Sequence, residues 1–218
     1  MSEHDVMELD AVDRTAAEAF EGYVVRKDLV RRFQDQFPVP TYVVEFLLGR
    51  YCASVDEEEI QEGLEIVKRQ LSDRTVTPGE EELFKSKARE KGSVQLIDLV
   101  RARLDPQADA YVAQLPSLQL RRARVDAETV KNHERMLTGG FYAEIELEYD
   151  PVIAEELGGN PFGVGHLREI QLSSSDVLGT LSEGRRQFST PEWKELLLRS
   201  IGLEPEALSK REQDVYML

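Results

Sequence analysis

The stretch with the clearest chemical potential is a short basic segment between apolar residues, LQLRRARV at 118–125. It carries Arg121, Arg122 and Arg124 within four positions, although the whole chain has a formal net charge of -15. Guanidinium groups bind phosphate oxygens with a bidentate geometry that lysine lacks. They also pair with carboxylates, which this chain has in excess. The sequence therefore leaves two hypotheses open: the three arginines contact nucleic acid, or they form local ion pairs.

A second basic cluster lies nearer the N-terminus, on and before a helix that is predicted to begin at about Lys27. Its members are Arg26, Lys27, Arg31 and Arg32. Such a cluster is typical of a solvated helix face, and it also suits a path for a phosphate backbone. Together with 121, 122 and 124, these four residues are the candidate DNA-binding residues.

Patterns that would indicate catalysis are absent from the sequence. There is no phosphate-binding GxxxxGK[ST] pattern, and the glycines at 158–165 precede a predicted strand instead of a helix. His4, His133 and His166 lie far apart without the spacing of a zinc site. Cys52 is the only cysteine, and its apolar surroundings predict a buried structural thiol. We expect no catalytic residue, metal or cofactor in this chain.

Composition favours a folded protein in the cytoplasm. The chain has 218 residues, 41% of them hydrophobic, which allows one large domain or two small ones. No apolar run is long enough to cross a bilayer, and the acidic N-terminus lacks the order of a secretory signal. A strongly negative body repels nucleic acid, so DNA binding is expected only at a local basic strip. An acidic protein that binds a basic partner is an alternative.

Hydrophobic periodicity divides the chain into three regions. Residues 1–92 predict a helical N-terminal subdomain, with weak helical spacing before residue 20 and helices at about 27–37, 41–53, 56–71 and 78–91. Residues 93–172 predict strands at about 94–104, 110–116, 118–125, 141–149 and 162–172, with a helix at 126–137. Residues 173–218 predict a C-terminal helical linker, whose last long helix is expected to be capped by Thr190.

Three strands, a helix and two further strands follow the order of an OB-fold, a five-stranded Greek-key barrel. We therefore predict an α+β protein with an OB-like β-barrel between helical segments; a generic α+β sheet with the same strand order is the alternative. Strict alternation would turn Arg122 and Arg124 toward the core. We therefore expect a β-bulge near 121–122 that turns the arginines outward.

Two further arginines, Arg101 and Arg103, lie at the end of the predicted first strand. The first and fourth strands of an OB-fold are neighbours. We therefore expect these arginines to form cross-strand ion pairs with Glu144, Glu146 and Glu148 of the fourth strand.

Several segments in a fixed order resemble one known family. GYVVRKDLV, VPTYVVEFLLGRYCAS, DEEEIQEGLEIVKRQL, FKSKAREKGSVQLID and TPEWKELLLRSIGLEPE are similar to the N-terminal region of BrxL, the Lon-like AAA+ protein of bacterial BREX phage-defence systems. The resemblance extends from about Gly22 to Leu218.

This resemblance implies a role as a collar that engages DNA and arranges subunits in a ring around it. It implies an AAA+ module that uses ATP and Mg²⁺, and a Lon-like domain, which we expect to follow the present sequence. The implied partners are duplex DNA without sequence preference, further copies of the chain and other BREX components, with no membrane. A subunit-assembly module without DNA contact is an alternative.

Overall fold

A computed structural model describes residues 9–20, 24–33, 35–152, 154, 160–170 and 177–217 of the chain. The described residues form helices and one five-stranded mixed sheet, which confirms the predicted α+β class. They belong to two compact units. The sheet unit comprises Phe33–Val44 and Val67–Gln171, and the helical unit comprises Met1–Arg32, Glu45–Ile66 and Leu172–Leu218.

The strands of the sheet unit lie close to their predicted positions. They are β1 Ser93–Asp105, β2 Ala110–Leu115, β3 Leu120–Arg124, β4 Phe141–Tyr149 and β5 Phe162–Glu169. The sheet closes on itself in the order β1-β2-β3-β5-β4. Among the described strands, β3 and β5 are the one pair that runs in parallel, through Arg124 and Gly163. Closure satisfies the backbone hydrogen bonds that an open sheet leaves at its edges.

Strict alternation in the sequence of β4 explains how this strand contributes to the core. Phe141, Ala143, Ile145 and Leu147 are buried, while the intervening tyrosine and glutamates are half-buried on the other face. The buried set packs with the inward residues of the other strands in one apolar core. Helical side chains join it, namely Phe84, Ala88, Val130 and Met136.

The long first strand pairs with two neighbours in succession. Residues from Ser93 to Val100 pair with β4, and residues from Arg101 to Asp105 pair with β2. The last residues of β1 therefore lie beyond its pairing with β4, and the two arginines among them lie beside β2.

A β-bulge in β3 confirms the expected change of alternation. Leu120 pairs with Leu115 and Ala123 with Ala113, so Arg121 and Arg122 together stand opposite Gln114 alone. The extra residue returns the apolar side chains to the core, where Leu118, Leu120, Ala123 and Val125 are buried. It leaves Arg121 and Arg124 exposed and Arg122 half-buried.

Two helices of the sheet unit each have one end fixed by a capping residue. Helix α5, Glu81–Lys91, ends at Gly92 with φ of 84°, a conformation that glycine adopts without strain. Helix α6, Ala127–Asn132, begins at Asp126, whose carboxylate accepts from the backbone N–H of Thr129. The prediction of one helix over 126–137 is wrong, because the chain leaves helical geometry at His133 and continues as a 3₁₀ turn.

The remaining helices follow the predicted order with shifted ends. They are α1 Ala11–Ala19, α2 Lys27–Phe33, α3 Thr41–Tyr51, α4 Glu57–Arg74, α7 Val177–Arg185, α8 Thr190–Ser200 and α9 Lys210–Tyr216. The described part of α2 ends at Phe33, four residues before the predicted end, and α4 continues three residues beyond its predicted end.

In the helical unit, α1 packs against α8. Val12, Ala16 and Phe20 of the predicted apolar spacing are buried with Phe188. The predicted cap of α8 is wrong by one residue, because Ser189 caps the helix. The Ser189 hydroxyl accepts from the backbone N–H of Glu192, and the Glu192 carboxylate accepts from the backbone N–H of Ser189. Thr190 is the first helical residue.

The predicted domain boundaries, 1–92, 93–172 and 173–218, remain a prediction, because the compact units combine segments that are separated in sequence. Within the described ranges, no helix combines the length and apolarity that a bilayer crossing requires.

Candidate nucleic-acid interface

The outer face of β1, β2 and β3 brings arginines from two strands together. Arg103 of β1 pairs in register with Val112 of β2, and Val112 pairs with Arg124 of β3. Residues in direct register lie on the same face of a sheet. Arg101 lies on this face as well, opposite Gln114. We call Arg101, Arg103, Arg121, Arg122 and Arg124 the arginine face.

Val112 lies between two of these arginines in the register of the sheet. Its side chain is completely buried, yet it belongs to a small cluster with Ala108 that is separate from the core of the sheet. Arg103 and Arg124 flank it in the register. The register therefore places both arginines on the outer face of the sheet, on either side of Val112.

The expected ion pairs between β1 and β4 are wrong. The register sets Glu144 opposite Ile97 and Glu146 opposite Gln95, at the other half of β1. Arg101 instead donates through Nε to the carbonyl oxygen of Gly139 at 2.9 Å. Arg103 is exposed on the arginine face.

The β4 glutamates have other partners. Glu144 pairs with Arg74 at 3.2 Å and with Arg168 at 3.7 Å. Glu146 accepts from the Ser93 hydroxyl at 2.8 Å. Glu144 and Glu146 are therefore engaged without the arginines of β1.

Arg122 is the member of the face that pairs with an acidic residue of its own unit. Its Nη2 lies 2.7 Å from Oδ2 of Asp105, whose side chain is only 7% exposed. The pKa of Asp105 lies below its ordinary value, chiefly because the backbone N–H of Gln107 donates to the carboxylate. The charges of Arg122 and Arg103 act in the same direction. For this residue the local ion pair is confirmed.

Arg103, Arg121 and Arg124 remain exposed to solvent. Within the described part of the chain, no carboxylate forms an ion pair with any of the three. Their positive charges are therefore available to an external anion.

Asn160 fixes the backbone of the arginine strand. Its Nδ2 donates to the carbonyl oxygen of Arg122 at 2.7 Å, and its Oδ1 accepts from the backbone N–H of Phe162 at 3.1 Å. The amide thus joins β3 to the start of β5, where the parallel seam of the sheet closes. The arginines of β3 therefore lie on a strand that is held on one side by β2 and on the other by β5.

The second basic cluster is largely engaged within the helical unit. Arg26 pairs with Asp28 at 2.7 Å, and Lys27 pairs with Glu45 at 2.8 Å. Arg31 is exposed and Arg32 is half-buried. The ion pairs of Arg26 and Lys27 leave less free positive charge here than on the arginine face.

The geometry of the arginine face suits binding, since guanidinium groups on a rigid sheet bind phosphate oxygens without covalent chemistry. In the described ranges, no three histidine, cysteine, aspartate or glutamate side chains form a group that could hold a metal. Burial raises the pKa of the Cys52 thiol to about 11, which disfavours the nucleophilic thiolate.

Sequence reasoning missed the contributions of Arg103 and Asp105. It assigned Arg103 to a pairing with β4 and gave Asp105 no role. One signal was available: a predicted first strand longer than the fourth must extend past it, so its last residues need another neighbour. The 13 residues of β1 and the 9 of β4 show this mismatch.

Comparison with known proteins identifies relatives over nearly the whole chain. The family described as "BREX system Lon protease-like protein BrxL N-terminal" matches residues 18–149. The family described as "Lon-like protease BrxL-like, ATPase domain" matches residues 162–218. The second match covers β5 and the C-terminal helices, so residues expected to form a linker ahead of the ATPase module are similar to part of that module.

Two curated relatives carry the name "Lon-like protease BrxL". The protein from Escherichia coli O9:H4 (strain HS) is 39% identical over 200 residues, which are 92% of this chain and 28% of the relative. The protein from Bacillus cereus (strain H3081.97) is 39% identical over 189 residues, which are 87% of this chain and 28% of the relative. The chain therefore spans little more than a quarter of the length of these relatives.

Proposed function

The chain belongs to the BrxL family, and from that premise we propose that its arginine face binds the phosphate backbone of duplex DNA without sequence preference. The observation that carries the proposal is the outward row formed by Arg103 and Arg124 around Val112, with Arg121 exposed beside it. Three arginines without an ion-pair partner among the described residues, on one face of a chain with a net charge of -15, form a local site for a polyanion.

The topology of the sheet supports this choice of ligand. The strand order, the parallel seam between β3 and β5 and the helix between β3 and β4 agree with an OB-like barrel. OB-folds bind oligonucleotides across the face of their second and third strands. The arginine face lies on the third of these strands and on the adjoining end of β1, on either side of β2.

We further propose that the arginine face acts within a ring. A single face with three phosphate contacts binds weakly, and several copies around one duplex would add their contacts through a high effective concentration. The whole protein would then act in phage defence, with this region as its DNA-engaging collar. ATP and Mg²⁺ are proposed cofactors of the complete ATPase module, to which residues 162–218 are similar.

The seven residues proposed from the sequence divide into a strong and a weaker group. Arg121 and Arg124 are proposed as direct phosphate contacts, together with Arg103. Arg31 is proposed as a secondary contact, because it is exposed, whereas Arg32 is half-buried. Arg26, Lys27 and Arg122 belong to the weaker group as well, because they already pair with carboxylates.

The test is fluorescence anisotropy of a labelled duplex titrated with the 218-residue chain over a series of salt concentrations. The variant R103Q/R121Q/R124Q removes three charges from the arginine face. The matched control K68Q/R69Q/R89Q removes three exposed charges from helices of the same unit. We expect the first variant to reduce the magnitude of the slope of log affinity against log salt by about three, since each phosphate contact contributes about one.

Two outcomes would contradict this proposal. Equal weakening by the two triple variants would show that only the overall charge matters. A folded wild-type chain that does not bind the duplex would exclude DNA binding by this chain.

The alternative in which the face pairs with carboxylates of a neighbouring copy makes a different prediction. Under it, R103Q/R121Q/R124Q lowers the oligomeric mass measured by light scattering, and the control does not. The Arg122–Asp105 pair supports this alternative, because it shows that an arginine of this face accepts a carboxylate partner.

A further inference from the structure

We propose that Asp105 competes with DNA phosphate for Arg122. One of the five arginines of the arginine face therefore stays paired with Asp105, and the face binds DNA less tightly than it would if Arg122 were unpaired. This inference rests on the proposed function. It assigns to Asp105 the role of setting the affinity of the site.

The Asp105 carboxylate occupies the position at Arg122 that a phosphate oxygen would take. It lies on the same face of β1 as Arg101 and Arg103, because alternate residues of a strand share a face. Its Oδ2 is 2.7 Å from Nη2 of Arg122, a distance typical of a charge-assisted hydrogen bond. A phosphate oxygen at Arg122 would need the same donor.

The carboxylate is held firmly in place. Its side chain is 7% exposed, and its Oδ1 accepts from the backbone N–H of Gln107 at 3.1 Å. A fixed carboxylate does not lose side-chain entropy each time it pairs with the arginine, as a mobile surface carboxylate would. DNA must therefore displace a preorganised partner before it can use Arg122.

Arg122 is restrained to the same degree. The Asn160 amide holds its carbonyl oxygen, and its side chain is 36% exposed. Its Nε is buried and lacks a hydrogen-bond partner among the described residues. The guanidinium therefore rests against the sheet with Asp105 as its ion-pair partner and is not extended toward solvent.

The contrast with Arg124 shows what the pairing changes. Arg124 is two residues further along β3 and exposed, and no carboxylate in the described ranges pairs with it. A phosphate that approaches Arg124 meets a guanidinium group without a carboxylate partner among the described residues. A phosphate that approaches Arg122 meets a guanidinium group whose charge is already neutralised by Asp105. Only the first interaction releases a counterion from the DNA and contributes to the salt dependence.

The substitution D105N separates the electrostatic role from the structural one. Asparagine keeps an oxygen that accepts from Gln107 and has nearly the same volume, but it lacks the charge that holds Arg122. The matched control is D109N in the same turn. Asp109 is exposed, and its φ of 47° suits asparagine.

The experiment measures duplex anisotropy against salt concentration for the wild type, D105N, D109N, R122Q and D105N/R122Q, with thermal melts to establish folding. We expect D105N to bind several-fold more tightly than the wild type and to raise the magnitude of the salt slope by about one, equivalent to one new phosphate contact. D109N should leave the slope unchanged. The gain in slope should disappear in D105N/R122Q, because it depends on Arg122.

The outcomes distinguish failure of this inference from failure of the proposed function. A wild type that binds, with D105N and D109N showing the same affinity and slope, would overturn the inference alone. A folded wild type that fails to bind would overturn the proposed function. If D105N does not fold, the single variants decide: R124Q should lower the slope by about one, R122Q should leave it unchanged, and a drop with R122Q would overturn the inference.

Discussion

Arg199 of α8 reaches Asp13 of α1 at 2.9 Å and joins two residues that are 186 positions apart in the sequence. The same guanidinium contacts Asp10 at 2.6 Å and Glu195 of its own helix. Beside these ion pairs, Phe20 stacks on Phe188 with 6.1 Å between ring centroids. The ion pairs of Arg199 and the aromatic cluster thus join α1 to α8, although the two helices lie far apart in the sequence.

The substitution R199Q should destabilise the helical unit, because it leaves three carboxylates clustered without their cation. We expect the free energy of unfolding to fall by about 1–2 kcal/mol, since the groups are partly exposed but form a network. Trp193 lies in the adjacent cluster and is the only tryptophan of the chain, so its fluorescence reports unfolding here. Urea titrations at low and high salt provide the measurement.

The loss should shrink at high salt, because salt screens the repulsion among the carboxylates. The control is R211Q, which removes an exposed arginine from α9 of the same unit. A loss of the same size in R211Q would show that Arg199 has no special role.

Gly184 of α7 leaves room for the ring of Phe20. A Cβ atom at this position would lie 2.1 Å from Cε1 of Phe20. Within a helix, replacing glycine with alanine normally stabilises by about 1 kcal/mol. We expect G184A to do the opposite and to destabilise by about 1–3 kcal/mol, because the ring must move. Urea unfolding followed by Trp193 fluorescence tests this sign.

A double-mutant cycle with F20A isolates the clash. In the F20A background, G184A should become neutral or stabilising, because the obstructing ring is gone. S182A, an exposed substitution on the same helix, controls for helix propensity. A destabilisation by G184A that persists without the Phe20 ring would contradict the packing described for α1.

The apolar spacing of α1 could be predicted from the sequence, whereas its attachment could not. Leu9, Val12, Ala16 and Phe20 recur at helical intervals, and this local pattern is sufficient to define a helix face. The partner of that face is determined by tertiary packing, and no periodicity indicates that Arg199 will face Asp13. The cap of α8 was one residue out because serine and threonine are adjacent there, and both can cap.

For the arginine face as well, local features could be predicted from the sequence, whereas long-range contacts could not. The bulge at 121–122 could be predicted, because an unbroken alternation would have turned arginines toward an apolar core. The partners of Arg101 and Arg103 depended on the register of β1, and two-residue periodicity does not specify which neighbour each half of a long strand pairs with. The Arg122–Asp105 pair could not be predicted, since it depends on the reach of a side chain across the folded sheet.

Asp98 is a buried carboxyl of β1 that accepts from the backbone N–H of Ser117 at 3.2 Å. Burial raises the pKa of Asp98 from its ordinary value of 3.8 to about 6, although hydrogen bonds from Ser117 and Leu99 oppose the rise. The unfolded chain releases this proton near pH 4 and the folded chain only near pH 6. This group therefore lowers the stability of the wild type as pH rises through that window, by about 3 kcal/mol in total.

The substitution D98N keeps an acceptor for Ser117 and removes the titration. We expect the stability of D98N relative to the wild type to increase by about 3 kcal/mol between pH 4 and pH 7 and to stay constant at higher pH. Urea unfolding followed by circular dichroism at a series of pH values measures this difference. D73N, an exposed substitution on α4, should show no such trend. A difference that does not vary with pH would exclude the titration of Asp98 in this range.

The bulge in β3 makes a prediction about chain length. Arg121 and Arg122 share one position opposite Gln114, so deletion of Arg121 should leave Leu120 opposite Leu115 and Ala123 opposite Ala113. The core contacts of Leu120 and Ala123 would be retained, and we expect a folded protein that loses less than about 2 kcal/mol.

Deletion of Arg124 is the matched comparison, because it also removes one arginine from β3. It would bring Val125 opposite Val112 on the outer face and remove a buried side chain from the core, since a shift of one residue reverses the face of every residue that follows. We expect this variant to unfold or to lose more than about 3 kcal/mol. Circular dichroism and urea unfolding of both variants measure the contrast. If both deletion variants folded with the same stability, this result would contradict the conclusion that the bulge directs the arginines outward.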